Sequence, residues 1–320
     1  GTILVKDILP GIEGTIPENF IVVNNILLFS AYDYVNGTEL WKTDGTEMGT
    51  VLLKDIYVGS NGSNIGSMVL GGTEVYFYAD TAEYGRELWK SDGTENGTVL
   101  LDDIKPGVEG SDPWGYIWFN DALYFSADEG IHGRELWKSD GTPLGTTVLK
   151  DIWSGTEDAF FLGKLIPLPY YPLEINEFNN KAFFGGSDGV HGFELWSSDG
   201  TLSGTSLVRD VSLGTPDGEI SGYGKLGDAL YFRANNGTNG KELWKTDGTS
   251  DGTTMVKNIC TDGGLIFRII IGPPPIGSIC SSAPDGFTTL DNILLFVAND
   301  GINGIELWRT DGTDAGTTLV

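Results

Sequence analysis

Several residue types that build active sites are scarce in this sequence. Its 320 residues include two histidines, two cysteines and 19 basic residues, against 45 acidic ones. The resulting formal charge of −26 repels nucleic acid and anionic membranes, so we predict no nucleic-acid partner. No apolar run reaches the ~18 residues that span a bilayer, so we also predict no membrane insertion.

Enzyme motifs are missing as well. The sequence offers no Ser-His-Asp set, phosphate-binding loop, zinc-ligand spacing or H-E-x-x-H motif, and we expect no cofactor. Both histidines, His132 and His191, directly precede a turn glycine, which makes them turn residues first and only then candidates for ligand binding. Among 45 acidic residues, pairs of carboxylates occur by chance and do not indicate glycoside hydrolysis.

One ten-residue motif occurs six times in the sequence. "GRELWKSDGT" stands at 85–94 and 133–142, with near-copies at 37–46, 192–201, 240–249 and 304–313. Its glutamate falls at positions 39, 87, 135, 194, 242 and 306, a period near 48 with two insertions. Each unit reads as four short strands separated by Gly, Asn and Asp clusters, without helical periodicity. A period of this size is typical of a β-propeller blade.

We therefore predict an all-β fold, a six-bladed β-propeller of four-stranded antiparallel blades that forms one domain over 1–320. The "ELWKS" segment should be the third strand of each blade and "TVLLKDI" the outermost. Because the chain starts and finishes in the same phase of the repeat, residues 1–8 should close the ring as an outer strand of the last blade. The predicted repeats lie at about 1–50, 51–98, 99–146, 147–205, 206–253 and 254–320.

The repeated E-L-W-x-x-D-G-T motif resembles the repeat of the ELWxxDGT family of secreted bacterial proteins, and the resemblance covers essentially the whole chain. It implies an extracellular propeller-like protein. It implies no activity and no substrate.

Two repeated acidic residues have structural explanations. The DGT aspartate should accept backbone hydrogen bonds inside a turn, with calcium binding as the alternative. These aspartates are Asp44, Asp92, Asp140, Asp199, Asp247 and Asp311. The ELW glutamate should be buried and should pair with the basic residue of the K-D-I strand, for example Glu135 with Lys150. Glu87 should lack a partner, because Asp102 takes the basic position in its repeat.

Cys260 and Cys280 flank an insertion, where we predict a disulfide. A disulfide favours an oxidising compartment, so the expected location is secreted or at the cell surface.

The loops that follow "KDI" vary most, and function usually lies in such loops. Two insertions, at about 152–178 and 259–286, fall there. Aromatic residues outside the repeat also lie in or beside these loops and are candidate ligand-binding residues, although packing explains them too: Trp114, Tyr116, Trp118, Trp153, Tyr170 and Tyr171. Aromatic rings among carboxylates and amides suit neutral sugars.

We therefore expect a secreted, non-enzymatic binding or scaffold module whose partner is a glycan or an extracellular protein. The alternative is an extracellular polysaccharide hydrolase or lyase with acidic residues near the channel mouth.

Overall fold

The computed structural model describes residues 1–159, 174–261 and 280–320. Their secondary structure consists of β-strands and one short 3₁₀ helix, Pro143–Gly145, with no α-helix in these ranges. The strands form six four-stranded antiparallel sheets, which confirms the predicted fold class. The chain divides into two compact units, Gly1–Glu157 and Asp158–Val320. The prediction of a single domain stays a prediction.

The first unit holds blades 1 to 3. Blade 1 consists of β1 Glu18–Val23, β2 Ile26–Asp33, β3 Gly37–Thr43 and β4 Val51–Lys54. Blade 2 consists of β5 Gly66–Gly71, β6 Glu74–Thr81, β7 Gly85–Ser91 and β8 Val99–Asp102. Blade 3 consists of β9 Trp114–Phe119, β10 Ala122–Asp128, β11 Arg134–Ser139 and β12 Thr147–Lys150.

The second unit holds blades 4 to 6. Blade 4 consists of β13 Asn176–Phe178, β14 Lys181–Ser187, β15 Phe193–Ser198 and β16 Ser206–Arg209. Blade 5 consists of β17 Ser221–Leu226, β18 Ala229–Asn235, β19 Lys241–Thr246 and β20 Thr254–Lys257. Blade 6 consists of β21 Asp285–Leu290, β22 Ile293–Asn299, β23 Ile305–Thr310 and β24 Thr318–Leu319.

The predicted order of strands is confirmed. In every blade the strand that carries E-L-W is third, and the strand that follows the D-G-T turn is fourth, at the edge of the sheet. Short hairpins make this order possible. Asn24 and Asn25 both adopt positive φ, 49° and 63°, which suits the right-handed twist of a two-residue hairpin between β1 and β2.

In blades 1 to 5 the third strand buries its Leu and its Trp on opposite faces, because successive side chains alternate across a strand. In blade 1, Leu40 packs with Val75, Phe77 and Trp89 of blade 2. Trp89 thus faces the preceding blade, and Leu40 faces the following one. The same arrangement joins Leu195 of blade 4 to Phe232 and Trp244 of blade 5.

The predicted closing strand at residues 1–8 is wrong for this structure. Residues 1–7 belong to no strand, and the side chains of Ile3 and Leu4 are exposed. The fourth strand of blade 6 is β24, which pairs Leu319 with Trp308. The edge position that the N-terminal segment was expected to fill is therefore occupied by the blade's own repeat.

A disulfide joins Cys260 to Cys280, as predicted. No helix among the described residues is long and apolar enough to span a membrane.

Candidate functional site

Every blade has two different ends. The end where the third strand finishes carries the D-G-T turn, and we call it the DGT end. The opposite end carries the turn between the second and third strands and the loop that follows the fourth strand, and we call it the loop end. At each end, some polar side chains hold the turns and loops of the fold, and others are exposed where a ligand could contact them.

At the DGT end, the six aspartates hold the turn. Each Oδ1 accepts a hydrogen bond from the N–H of the threonine two residues later, over 2.8 to 2.9 Å, and one from its hydroxyl, over 2.7 Å. These bonds lower the pKa of the aspartates. They are Asp44, Asp92, Asp140, Asp199, Asp247 and Asp311.

The glycine five residues after each aspartate completes this turn. A Cβ added at Gly49 would stand 2.0 Å from Asp44 Oδ1, so only glycine fits beside the carboxylate. Among the described residues, no group of three or more His, Cys, Asp or Glu side chains is arranged to hold a metal ion. The contacts of the DGT aspartates are therefore those of turn residues.

At the loop end, the ELW glutamate caps the loop of its own repeat. Glu39 accepts hydrogen bonds from the N–H of Ile56 over 2.8 Å and from the hydroxyl of Ser63 over 2.8 Å. Glu135 accepts them from the N–H groups of Ile152, over 2.7 Å, and Trp153, over 3.3 Å. A buried carboxylate requires such donors, because burial without hydrogen bonds is costly.

Burial raises the pKa of these glutamates, and the hydrogen bonds only partly offset it. The pKa is raised to about 7 for Glu39, Glu87 and Glu194 and to about 8 for Glu135. The pKa of Glu242 is also raised by burial. All five side chains are fully buried, so these carboxylates cannot reach a substrate.

The predicted ion pair between this glutamate and the K-D-I basic residue is wrong. Lys54 Nζ donates instead to the backbone oxygen of Glu95, and Arg209 Nη1 donates to that of Ser250, over 2.9 Å. Both acceptors belong to the D-G-T turn of the following repeat. The prediction that Glu87 lacks a partner is also wrong. Its carboxylate accepts hydrogen bonds from the N–H groups of Ile104 and Ser111.

Three of the predicted ligand-binding aromatics lie in β9 and pack on other rings. Trp118 stacks on Tyr76 with 5.4 Å between ring centroids, and Trp114 stacks on Tyr78 with 5.5 Å. Tyr116 lies 5.9 Å from Phe125. Packing thus explains much of this group, although Trp114 lies at the loop end of its strand.

The other predicted site residues are separated. Trp153 lies in the loop capped by Glu135 and is partly buried. His132 bonds through Nδ1 to Glu129, and His191 through Nδ1 to Asp188 over 2.8 Å, both within their own turns. These bonds raise the pKa of both histidines. Tyr170 and Tyr171 lie outside the described residues.

Two arginines that the sequence analysis did not single out meet at the loop ends of blades 2 and 3. Arg86 donates from Nε to Asp80 over 2.7 Å and from Nη1 to Asp112 over 3.2 Å. Arg134 donates from Nη2 to the carboxylate of Asp112 over 3.0 Å and from Nη1 to its backbone oxygen over 2.6 Å. We call Asp80, Arg86, Asp112, Trp114 and Arg134 the arginine cluster.

The arginine cluster combines balanced charges with aromatic surface. The guanidinium of Arg86 lies 4.6 Å from the ring centre of Tyr78, which is the ring that stacks on Trp114. The side chain of Asp112 is 55% exposed. Two positive and two negative groups with fixed planes offer donors and acceptors to hydroxyl groups without attracting an ion of either sign.

A sequence signal for this cluster existed. The position before the ELW glutamate is arginine in two consecutive repeats, at 86 and 134. Elsewhere it is Thr38, Phe193, Lys241 or Ile305. A polar residue that changes within an otherwise constant motif indicates a role outside the common fold.

Comparison with known proteins shows the fold and no more. No family model and no curated protein matches the sequence. The structure is similar to a prolyl endopeptidase, with a TM-score of 0.55 and 11% identity over 96% of this chain and 43% of that one. It is also similar to oligopeptidase B from Leishmania major, with a TM-score of 0.52 and 10% identity over 95% of this chain and 41% of that one. This chain thus spans less than half the length of either peptidase.

Proposed function

We propose that the protein is a non-enzymatic binding or scaffold module that recognises a neutral glycan or a glycan-bearing surface partner through the loop ends of its blades. The observation that carries this proposal is the arginine cluster. It joins two arginines, two aspartates and a tryptophan that the common repeat does not require, and the carboxylate of Asp112 remains open to solvent.

The distribution of titratable groups supports binding over catalysis. The four carboxylates whose pKa is raised to about 7 or 8 are fully buried and accept hydrogen bonds from their own loops. The DGT aspartates have a lowered pKa and are held in turns. A hydrolase requires a protonated acid that reaches the scissile bond, whereas the first set is buried and the turn hydrogen bonds of the second set favour the ionised form.

The charge of the protein favours a neutral ligand. A net charge of −26 repels acidic polymers. Sugar hydroxyls donate to carboxylates and accept from guanidinium groups, and the apolar faces of sugar rings stack on aromatic side chains. The Cys260–Cys280 disulfide supports a secreted or cell-surface location. Membership of the ELWxxDGT repeat family stays a proposal based on the motif.

The test is a glycan array followed by titration of the retained glycans, with a reducing-sugar assay on the same samples. Asp112→Ala should weaken binding by about 1–3 kcal/mol, the scale for one important contact at a binding site. The backbone tolerates this change, because Ala283 adopts φ 45° before blade 6 where Asp112 adopts φ 47° before blade 3.

The matched control is Met48→Ala, an exposed side chain in a D-G-T turn, which should leave binding unchanged. Trp153→Ala, at the loop end of blade 3, tests how far the surface extends. Release of reducing ends by the parent protein would contradict a purely binding role. Equal affinity of the parent and Asp112→Ala would remove the arginine cluster from the site.

A further inference from the structure

Blade 1 departs from the other blades at the turn between its second and third strands. Tyr32 and Tyr34 occupy this turn region, next to the exposed Val35. The position of Tyr34 is occupied by Ala82, Gly130, Gly189, Gly237 and Gly301 in the other repeats. The position of Tyr32 is occupied by Asp80, Asp128, Ser187, Asn235 and Asn299. The other five blades thus form this turn without an aromatic ring at either position, so the turn itself does not require Tyr32 or Tyr34.

The two tyrosine rings form an open corner. Their centroids lie 5.7 Å apart and their planes meet at 82°. Tyr34 is 59% exposed and Tyr32 is 38% exposed. Each tyrosine therefore keeps exposed surface that a ligand can reach, and the perpendicular arrangement is a favourable geometry for an aromatic pair.

The surrounding polar groups fix this corner. The hydroxyl of Tyr34 donates to Glu13 Oε2 over 2.5 Å, and the N–H of Tyr32 donates to Thr15 Oγ1 over 2.9 Å. Asp33 Oδ1 accepts hydrogen bonds from the N–H groups of Val35, over 2.8 Å, and Asn36, over 2.7 Å. A ligand would meet rings that are already oriented, which lowers the entropy cost of binding.

We propose that Tyr32 and Tyr34, with Glu13, form a separate binding site for a neutral oligosaccharide. The rings provide flat apolar surface for the faces of pyranose units. The carboxylate of Glu13 accepts hydrogen bonds from sugar hydroxyls, and the negative charges of Glu13 and Asp33 repel acidic sugars. This site lies in blade 1 and shares no residue with the arginine cluster, so it does not depend on the proposed function of that cluster.

The experiment is native affinity electrophoresis in gels that contain a soluble β-glucan, xylan or mannan, with alginate as the acidic comparison. The parent protein should be retarded by at least one neutral polymer and not by alginate. Tyr32→Ala/Tyr34→Ala should lose at least tenfold in affinity for that polymer. Tyr34→Phe keeps the ring and should retain most of the affinity, which separates stacking from loss of the hydroxyl contact with Glu13.

Two controls keep the result specific. Met48→Ala should behave like the parent, and circular dichroism should show the same fold in all variants. Asp112→Ala should be retarded as strongly as the parent protein wherever the retardation depends on the two tyrosines. The two proposed sites are therefore tested independently of each other. Absence of retardation by every neutral polymer, unchanged retardation of the double variant, or preference for alginate would overturn the proposal.

Discussion

Blades 5 and 6 contain the same E-L-W motif in two different environments. Leu243 of blade 5 is fully buried against Leu294 and Phe296 of blade 6. The equivalent Leu307 of blade 6 is 44% exposed. Trp244 and Trp308 are both only 6% exposed. The Trp of the motif is thus buried against the preceding blade, whereas burial of the Leu requires an element on the opposite face.

The glutamates of these blades differ in the same way. Glu242 is fully buried and accepts hydrogen bonds from the N–H of Ile259, over 2.8 Å, and the hydroxyl of Ser282, over 2.6 Å. Glu306 is exposed. We therefore expect the same tripeptide to contribute differently to stability in the two blades, because its surroundings differ.

The largest expected effect is at the leucines. Leu243→Ala should lower the free energy of unfolding by about 2–5 kcal/mol, the usual cost of a cavity at a buried leucine. Leu307→Ala should cost well under 1 kcal/mol, as exposed substitutions do. Urea denaturation measures both. Trp244→Phe and Trp308→Phe are the matched controls and should cost the same, because both rings are buried alike. Equal losses at the two leucines would contradict the comparison.

The next effect is at the glutamates. Glu242→Gln turns an amide N–H₂ toward backbone donors and leaves at least one of them unsatisfied, at a cost of about 1–3 kcal/mol. Glu306→Gln should have little effect on the same denaturation curve. Glu87→Gln and Glu135→Gln should lose similar amounts, since both carboxylates cap loops. A loss of stability in Glu135→Gln without one in Glu87→Gln would instead support the predicted ion pair between Glu135 and Lys150.

That ion pair shows what the sequence could not reveal. A bulge between Leu40 and Trp41 shifts the register of the third and fourth strands, so that Lys54 lies opposite Leu40. Lys150 lies opposite Leu136 in the same manner. The basic side chain therefore shares the face of the leucine and points away from Glu39 or Glu135. Spacing indicates which strands are neighbours, but a one-residue bulge leaves no mark in the spacing.

Other features were predictable because they repeat. The period near 48 and the turn residues were sufficient to predict six blades, the order of their strands and the turn role of Asp44 and its equivalents. The Cys260–Cys280 pair followed from its position around an insertion. Arg86 and Arg134 come together from different repeats through Asp112, and such a contact follows from three-dimensional packing, which the period does not specify.

A smaller effect should appear in the dependence of stability on pH. The folded-state pKa of Glu39 is raised from its ordinary value of 4.5 to about 7, so its stabilising contribution is present below pH 4.5 and is lost as the pH rises toward 7. The DGT aspartates have a folded-state pKa below their ordinary 3.8, so their contribution is present above that pH and is lost in stronger acid. These two sets together place the highest stability between about pH 4 and pH 5.

Thermal unfolding from pH 3 to pH 8 measures this dependence. The melting temperature should fall between pH 5 and pH 7.5, and Glu39→Gln should make that fall shallower. Glu306→Gln is the control and should leave the slope unchanged. A melting temperature that rises steadily from pH 4 to pH 7.5 would mean that the buried glutamates are charged without cost.

The smallest effect is expected at the D-G-T turns, where blades 5 and 6 should not differ. Asp247 and Asp311 each accept the same two hydrogen bonds from a threonine two residues later, 2.8 and 2.9 Å from the N–H and 2.7 Å from the hydroxyl. Both turns are exposed, so water replaces part of what Asp247→Ala or Asp311→Ala removes. Scanning calorimetry should show equal decreases in melting temperature, each smaller than that of Leu243→Ala. Because these hydrogen bonds lie within one turn, a larger decrease at Asp247 would mean that the turn depends on the neighbouring blade, as the leucine does.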